Sequence, residues 1–270
     1  IILFVSLFLL QPLFSQTEDE LKLMFRIAER GHGVDVYRLR NMIQKNPSYL
    51  GVTDDDWNNF LHIASIHSNT FVFDMLEELG ISSESVNKYG ESLVLVHINR
   101  TRLGINPAFF KWLLERYKDT DLINKPDNYG VPPIMALVDK GFLDWVATLH
   151  EKYGAILDVR DNDNRTIAMA MAQKNDIKYM KYLRDHGVDM LAVDDLGYDV
   201  LWYAKKANTS FDLLMMIEGY LRSDNEEYAK KIISGETDFD IGNTTLAVNK
   251  LPELLGNIHK VDLDISIQDA

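Results

Sequence analysis

Short apolar runs return along this chain, and each run is introduced by a turn of polar residues. Between residues 167 and 172 the apolar side chains follow helical spacing, and a second set occupies residues 177–183 before Gly187. Apolar residues at intervals of three and four predict amphipathic helices, and a glycine directly after such a run commonly ends a helix. The pattern therefore predicts pairs of short helices that are separated by turns.

The turns that open these pairs align on one position. It recurs at spacings of 33, 40, 34 and 33 residues and is occupied by Trp57, Gly90, Gly130, Asn164 and Gly197. Glycine and asparagine adopt positive φ most readily, as a tight turn requires. Two positions later stands a residue that suits a helix start, as an N-cap or, for proline, in the first turn: Asn59, Ser92, Pro132, Thr166 and Asp199. A period near 33 indicates an array of units that each contain two helices and a turn.

These residues resemble the ankyrin repeat family, whose units begin with Asp-x-x-Gly-x-Thr-Pro-Leu-His-x-Ala and continue with Leu-Leu and Gly-Ala. Residues 161–189 match this pattern best, and residues 61–64 keep the Leu-His pair. The resemblance covers residues 20–220 or so. It implies an all-α fold, an ankyrin-repeat solenoid of helix-turn-helix units with short hairpin loops.

The resemblance also implies a division of the chain. An N-terminal capping repeat is expected at residues 17–53, and a C-terminal cap or partly disordered tail at residues 222–270. Between them lie five repeats, at residues 54–86, 87–126, 127–160, 161–193 and 194–221. Extra residues around 100–104 predict a longer loop between the two helices of the second repeat.

Arrays of this family bind other proteins along their turn tips and inner helix ends, which implies a protein partner here. Carried onto this sequence, the tips and the positions after them give these candidates for partner contact: Asp56, Asn58, Lys88, Tyr89, Glu91, Asn128, Tyr129, Asp163, Arg165, Asp195 and Tyr198. The inner helix ends lie at residues 66–67, 99–100, 139–140, 173–174 and 206–207. Tyrosine is enriched in binding hot spots, although each of the three tyrosines can instead pack on the neighbouring hairpin.

Residues 1–16 form a separate, uncharged and mostly apolar segment. A dense apolar run followed by a short polar stretch is typical of a secretory signal peptide. The alternative is an uncleaved membrane anchor, for which about 20 apolar residues are needed. The sequence thus predicts a secreted or periplasmic protein, with membrane association only if residues 1–16 remain as an anchor.

The net charge of −13 lies entirely after residue 16 and bears on the class of partner. Such a surface repels phosphate backbones, so nucleic-acid binding is not expected. It steers a basic protein partner toward the chain, or it serves only to keep the protein soluble. We expect a monomer.

No group of residues predicts chemistry. The seven histidines lack a compact ligand spacing, cysteine is absent, and no nucleophile elbow or phosphate loop occurs. Residues 161–164 offer oxygen ligands, but the turn register already explains them. We therefore expect a protein-binding scaffold with no catalytic residue, cofactor or metal. The alternatives are an inhibitor or immunity-type protein that neutralises an enzyme or toxin, and an enzyme with its site in the C-terminal tail.

Overall fold

A computed structural model describes residues 18–101 and 104–224 of the chain. Within these residues the fold is all-α, with twelve α-helices, two short 3-10 helices and an isolated antiparallel bridge between Arg160 and Thr166. The proposed signal segment lies outside the described residues. Of the predicted C-terminal tail, residues 225–270 also lie outside the described part, whereas residues 222–224 form the end of the last helix.

The helices follow one another in antiparallel pairs. The described part begins with α1 (residues 18–30), α2 (Val34–Lys45) and a 3-10 turn (Pro47–Gly51). Five pairs follow: α3 (Phe60–Ile66) with α4 (Thr70–Glu78), α5 (Leu93–Arg100) with α6 (Pro107–Tyr117), α7 (Pro133–Lys140) with α8 (Asp144–Tyr153), α9 (Ile167–Ala172) with α10 (Ile177–Asp185), and α11 (Val200–Lys206) with α12 (Phe211–Asp224). A second 3-10 turn, Asp121–Ile123, follows α6.

In four of the five pairs the first helix begins at the position that the sequence predicts. The side chains of four N-cap residues accept a hydrogen bond from the backbone amide three residues later: Asn59, Ser92, Thr166 and Asp199. Each such bond satisfies one of the amides that a helix start leaves without a partner. Pro132 differs from the expectation of a first-turn residue, because it is itself the N-cap and α7 begins at Pro133.

The core lies between two rows of helices. The first helices of the pairs, α3, α5, α7, α9 and α11, contact one another in that order, and each also contacts its own second helix. All six residues of α9 are fully buried. A helix that is apolar on every side is stable only inside such a layer, which explains the run of alanine and methionine there.

One connection is longer than the others, as the sequence predicts. Six residues separate α5 from α6, whereas three or four separate the helices of the other four pairs. Residues 102 and 103 of this connection lie outside the described part. Among the described helices, none has both the length and the apolar character needed to span a bilayer.

Two buried histidines make the fold sensitive to acid. The Nδ1 atom of His97 donates to the backbone oxygen of Ser65 at 2.8 Å, and its ring stacks on Phe110. Burial lowers the pKa of His97 to about 4, although the bond to Ser65 opposes that shift. Burial likewise lowers the pKa of His62 to about 4.

We expect the stability of the protein to fall as the pH is lowered from about 6.5 to about 4. An unfolded histidine has a pKa of about 6.5, so the neutral buried rings contribute fully above that pH and progressively less below it. His97→Leu removes one of the two groups and should make the melting temperature less dependent on pH over this window. The ring of Phe109 also lies 4.9 Å from that of His97, so Phe109→Leu loosens the same cluster without removing an ionisable group and should retain the full dependence. Equal pH profiles for His97→Leu and the native chain would contradict the assignment.

Candidate functional site

Five turns with one common geometry precede the first helices of the five pairs. We call them the turn row: residues 54–58, 87–91, 127–131, 161–165 and 194–198. In the third turn, Asp127 Oδ1 accepts the amides of Tyr129 at 2.9 Å and of Val131 at 3.0 Å. The same two bonds form in the other turns at Asp54, Asn87, Asp161 and Asp194. A short acidic or amide side chain is thus required at the first position of each turn.

The fourth residue of each turn has a positive φ, as the sequence predicts. The angle is +80° at Gly130 and Gly197, and it is 62° at Trp57 and 59° at Asn164. A positive φ is uncommon for a residue other than glycine, least so for asparagine. Trp57 therefore places its large side chain at the turn at some backbone cost.

Backbone hydrogen bonds join each turn to the next. The amide of the second residue donates to the carbonyl of the third residue in the preceding turn, at 2.9–3.0 Å: Lys88 to Asp56, Asn128 to Tyr89, Asn162 to Tyr129, and Asp195 to Asp163. Two amide side chains reinforce these links, because Asn128 Nδ2 donates to the carbonyl of Lys88 and Asn162 Nδ2 to that of Asn128. These bonds hold neighbouring turn tips in fixed positions relative to one another.

Several candidate contact residues are instead part of the internal scaffold. Glu91 is 5% exposed, and its carboxylate accepts bonds from Asn87 at 2.7 Å, Asn99 at 2.9 Å and Arg100 at 3.0 Å. Asn58 is 4% exposed and bonds to both Asp54 and Asn87. Both side chains therefore offer little surface to a partner, which corrects the expectation from the sequence.

Charged candidates are paired within the row as well. Asp56 forms ion pairs with Lys88 and with Arg100, and the hydrogen bond from Lys88 holds the pKa of the Asp56 carboxyl below its usual value. Arg165 lies between the carboxylates of Asp161 and Asp139, with N···O distances of 2.9 and 2.7 Å. These side chains are thus engaged in ion pairs between successive units of the fold.

Two of the three candidate tyrosines pack on their neighbours. The ring of Tyr89 lies under the guanidinium of Arg100, 4.5 Å from the ring centroid. Tyr198 stacks on Trp202 with centroids 3.8 Å apart and planes at 9°. Tyr129 differs, because it is 65% exposed. Tyr89 and Tyr198 therefore pack their rings on the helix that follows their own turn, and not on the neighbouring hairpin.

The exposed part of the row consists of tip residues. Asn128, Asp163 and Asp195 are exposed, as the sequence reasoning required of contact residues. Trp57 is 62% exposed and Leu196 76%. Leu196 occupies a tip position that the repeat register predicts, whereas Trp57 is not a predicted contact residue. We call Trp57, Tyr129 and Leu196 the exposed tip set. The signal that would have found Trp57 is a large apolar side chain in a turn where no core requires one.

The described residues contain no group of three or more histidine, aspartate or glutamate side chains placed to hold a metal ion. Asp161, in the run of oxygen-bearing residues at 161–164, is committed to the amides of its own turn and to Arg165.

Comparison with known proteins gives a fold relationship. No protein-family model and no curated protein matches this chain. The chain is similar to a chain in the solved structure of a predatory endopeptidase from Bdellovibrio bacteriovorus in complex with an immunity protein. The TM-score is 0.57 at 18% sequence identity, and the match covers 72% of this chain and 97% of that chain. Likeness at this identity shows a shared fold.

The link between neighbouring turns can be tested with two alanine substitutions. Gly130 and Gly197 have the same φ of +80°, so alanine meets the same backbone strain of about 1 kcal/mol at either position. At position 130 the new Cβ would lie 2.5 Å from Asn162 Oδ1, whereas none of the described atoms lies within 4 Å of it at position 197. We expect Gly197→Ala to cost about 1 kcal/mol and Gly130→Ala at least about 2 kcal/mol of unfolding free energy in denaturant titration. Equal losses of unfolding free energy in the two variants would show that Gly130 is not in close contact with the next turn.

The structural role of Glu91 gives a second prediction. Glu91→Gln removes the buried charge that Arg100 faces, and we expect a loss of about 2 kcal/mol in the free energy of unfolding. Asp163→Asn makes the same chemical change at an exposed tip and should stay within about 0.5 kcal/mol of the native chain. The measurement is urea unfolding followed by circular dichroism. If Glu91→Gln lowers the free energy of unfolding no more than Asp163→Asn does, the internal bonds of Glu91 do not stabilise the fold, and Glu91 is again a candidate for partner contact.

Proposed function

We propose that this chain is an ankyrin-type repeat solenoid that binds another protein through the exposed edge of its turn row. The observation that carries the proposal is the turn that occurs five times with the same side-chain bonds and is linked four times by the same backbone bond. The ordered contacts among the first helices of the pairs support the stacking of like units. Arrays of this kind build extended binding surfaces from successive repeats.

The exposed tip set supports a partner at this edge. Trp57, Tyr129 and Leu196 expose apolar surface on turns whose backbones are already fixed by hydrogen bonds. A fixed backbone loses little conformational freedom on binding, so more of the contact energy remains as affinity. Tryptophan and tyrosine are also the side chains most enriched among binding hot spots.

Charge and location complete the proposal. Asp55, Asp163 and Asp195 are exposed in the same row, and the chain carries a net charge of −13. This favours fast association with a partner whose facing surface is basic. The apolar segment at residues 1–16 supports action outside the cytoplasm, as a signal peptide would direct. The protein acts by binding alone, as a monomer and without a cofactor.

A second candidate function is supported by the structural comparison. The similar solved structure contains an immunity protein beside an endopeptidase, and the match covers 97% of the chain concerned. By analogy, this protein would neutralise a partner enzyme by occupying its surface. Analogy of fold alone carries limited weight for function, so the binding module remains the first proposal.

The exposed tip set provides the test of the first proposal. The full chain is used as bait in a native extracellular or periplasmic extract, and the dissociation constant of the captured protein is then measured with purified components. We expect Tyr129→Ala with Leu196→Ala to weaken binding at least about tenfold, since hot-spot truncations cost 1–2 kcal/mol or more. Phe71→Ala, at a side chain 71% exposed on α4 and away from the row, is the matched control and should bind normally.

Two outcomes would contradict the proposal. One is an unchanged dissociation constant in the double variant, and the other is an equal loss in Phe71→Ala. An activity assay of the same captured protein tests the second candidate function. An enzyme whose activity falls to zero at one equivalent supports the immunity-type role, whereas a partner that stays fully active excludes it.

A further inference from the structure

Two histidine rings from consecutive units lie against each other at the ends of the second helices. His150 is in the last turn of α8, and His186 is the C-cap of α10. Their ring centroids are 5.4 Å apart, with the planes at 87°. Within the described part of the chain, no other two histidine rings are in contact. The two residues stand in different repeats, so no spacing along the sequence indicates this pair.

Hydrogen bonds fix which ring nitrogen of each histidine carries the proton. The Nδ1 atom of His150 donates to the carbonyl of Ala155 at 2.7 Å, and that of His186 donates to the carbonyl of Tyr182 at 2.8 Å. A carbonyl oxygen only accepts, so Nε2 of each neutral ring keeps its lone pair. Neither Nε2 atom has a hydrogen-bond partner among the described residues. This is the form in which histidine binds a metal ion, with its other nitrogen held by a carbonyl.

Helix ending accounts for only part of this arrangement. The bond from each Nδ1 satisfies a carbonyl at or just after the end of a helix, where carbonyls lack helical partners. Neither bond uses Nε2. His32, which is exposed, also bonds through Nδ1, to the carbonyl of Arg30 at 3.3 Å, but it has no second histidine ring beside it in the described part. Two available Nε2 atoms in one place are therefore specific to the pair of His150 and His186.

The spacing of the two rings suits a shared transition-metal ion. Zinc binds imidazole nitrogen at about 2.0–2.1 Å in tetrahedral geometry, which places the centroids of two bound rings about 5 Å apart. The observed separation is 5.4 Å. Both rings also lie at C-terminal helix ends, where the helix dipole favours a cation. Glu151 adds a negative charge at the edge of the cluster, where its Oε1 atom accepts the hydroxyl of Tyr182 at 3.1 Å.

We infer that His150 and His186 together bind one divalent transition-metal ion, of the class of zinc and copper, through their Nε2 atoms. Imidazole is the commonest protein ligand for these metals, whereas magnesium prefers oxygen ligands. The described residues place no third histidine or acidic side chain to complete the coordination, so water fills the other positions. The inference goes beyond the proposed function and concerns a surface outside the turn row.

A bound ion would join two units of the solenoid. The helix α8 belongs to the third pair and α10 to the fourth, and His150 and His186 are the ligands that these helices contribute. A ligand that binds the folded chain and not the unfolded chain stabilises the fold by mass action. The protein should therefore unfold at a higher temperature with zinc than without it.

The test is calorimetric titration of the full chain with zinc chloride, with magnesium chloride as the matched ion. We expect the native chain to bind a single zinc ion and no magnesium. His150→Gln and His186→Gln should each raise the dissociation constant of zinc at least about tenfold, because each removes one of the two ligands. His32→Gln is the matched control, since it removes an exposed histidine with the same Nδ1 bond, and it should bind zinc as the native chain does.

Thermal unfolding separates loss of the site from loss of the fold. Melting temperatures measured with EDTA show whether each variant is folded. Zinc at about 100 times its dissociation constant should raise the melting temperature of the native chain by about 5 °C or more. This increase should persist in His32→Gln and be absent in His150→Gln. Tyr182→Phe keeps the neighbouring ring and removes only its hydroxyl, so it should retain zinc binding.

Three results would overturn the inference. They are no zinc binding by the native chain, an equal loss of affinity in His32→Gln, and zinc binding that neither His150→Gln nor His186→Gln weakens. None of these measurements involves the protein partner. Failure here therefore leaves the proposed function untouched, and normal partner binding by the tip variants leaves the metal site untouched.

Discussion

The backbone hydrogen bond between successive turns is the interaction on which the rest of this structure depends. The bond from Asn162 to the carbonyl of Tyr129, and its three counterparts, fix each turn against the one before it. The Asx bonds within each turn, such as those accepted by Asp127, hold the donor and the acceptor in place. Because each turn leads into the first helix of a pair, the helices are placed side by side by the same bonds.

This constraint determines which side chains remain available for function. Where neighbouring turns and helix ends approach, charged side chains such as Arg165 and Glu91 are used to connect them. Side chains at the outer tips, such as that of Tyr129, are left exposed by these internal bonds. The proposed contact surface is thus the part of the turn row whose side chains form no internal bonds.

The sequence predicts the local structure well because local rules govern it. Asn59 and Thr166 cap their helices, and Gly130 adopts positive φ, each for a reason that a few neighbouring residues contain. The sequence predicts the contact residues less well, because their exposure depends on partners far along the chain. Arg165 meets Asp139, 26 residues earlier, and Tyr89 lies under Arg100 across a helix. No spacing rule contains those contacts.

Hydrogen exchange at single amides tests the central claim most directly. The second residue of the first turn, Asp55, has no preceding turn, and its amide has no backbone acceptor among the described residues. The matching amides of Asn128, Asn162 and Asp195 are on exposed residues but bond across the turn row. The account predicts that these three exchange at least about 100-fold more slowly than Asp55 under native conditions. Exchange of all four amides at the same fast rate would contradict it.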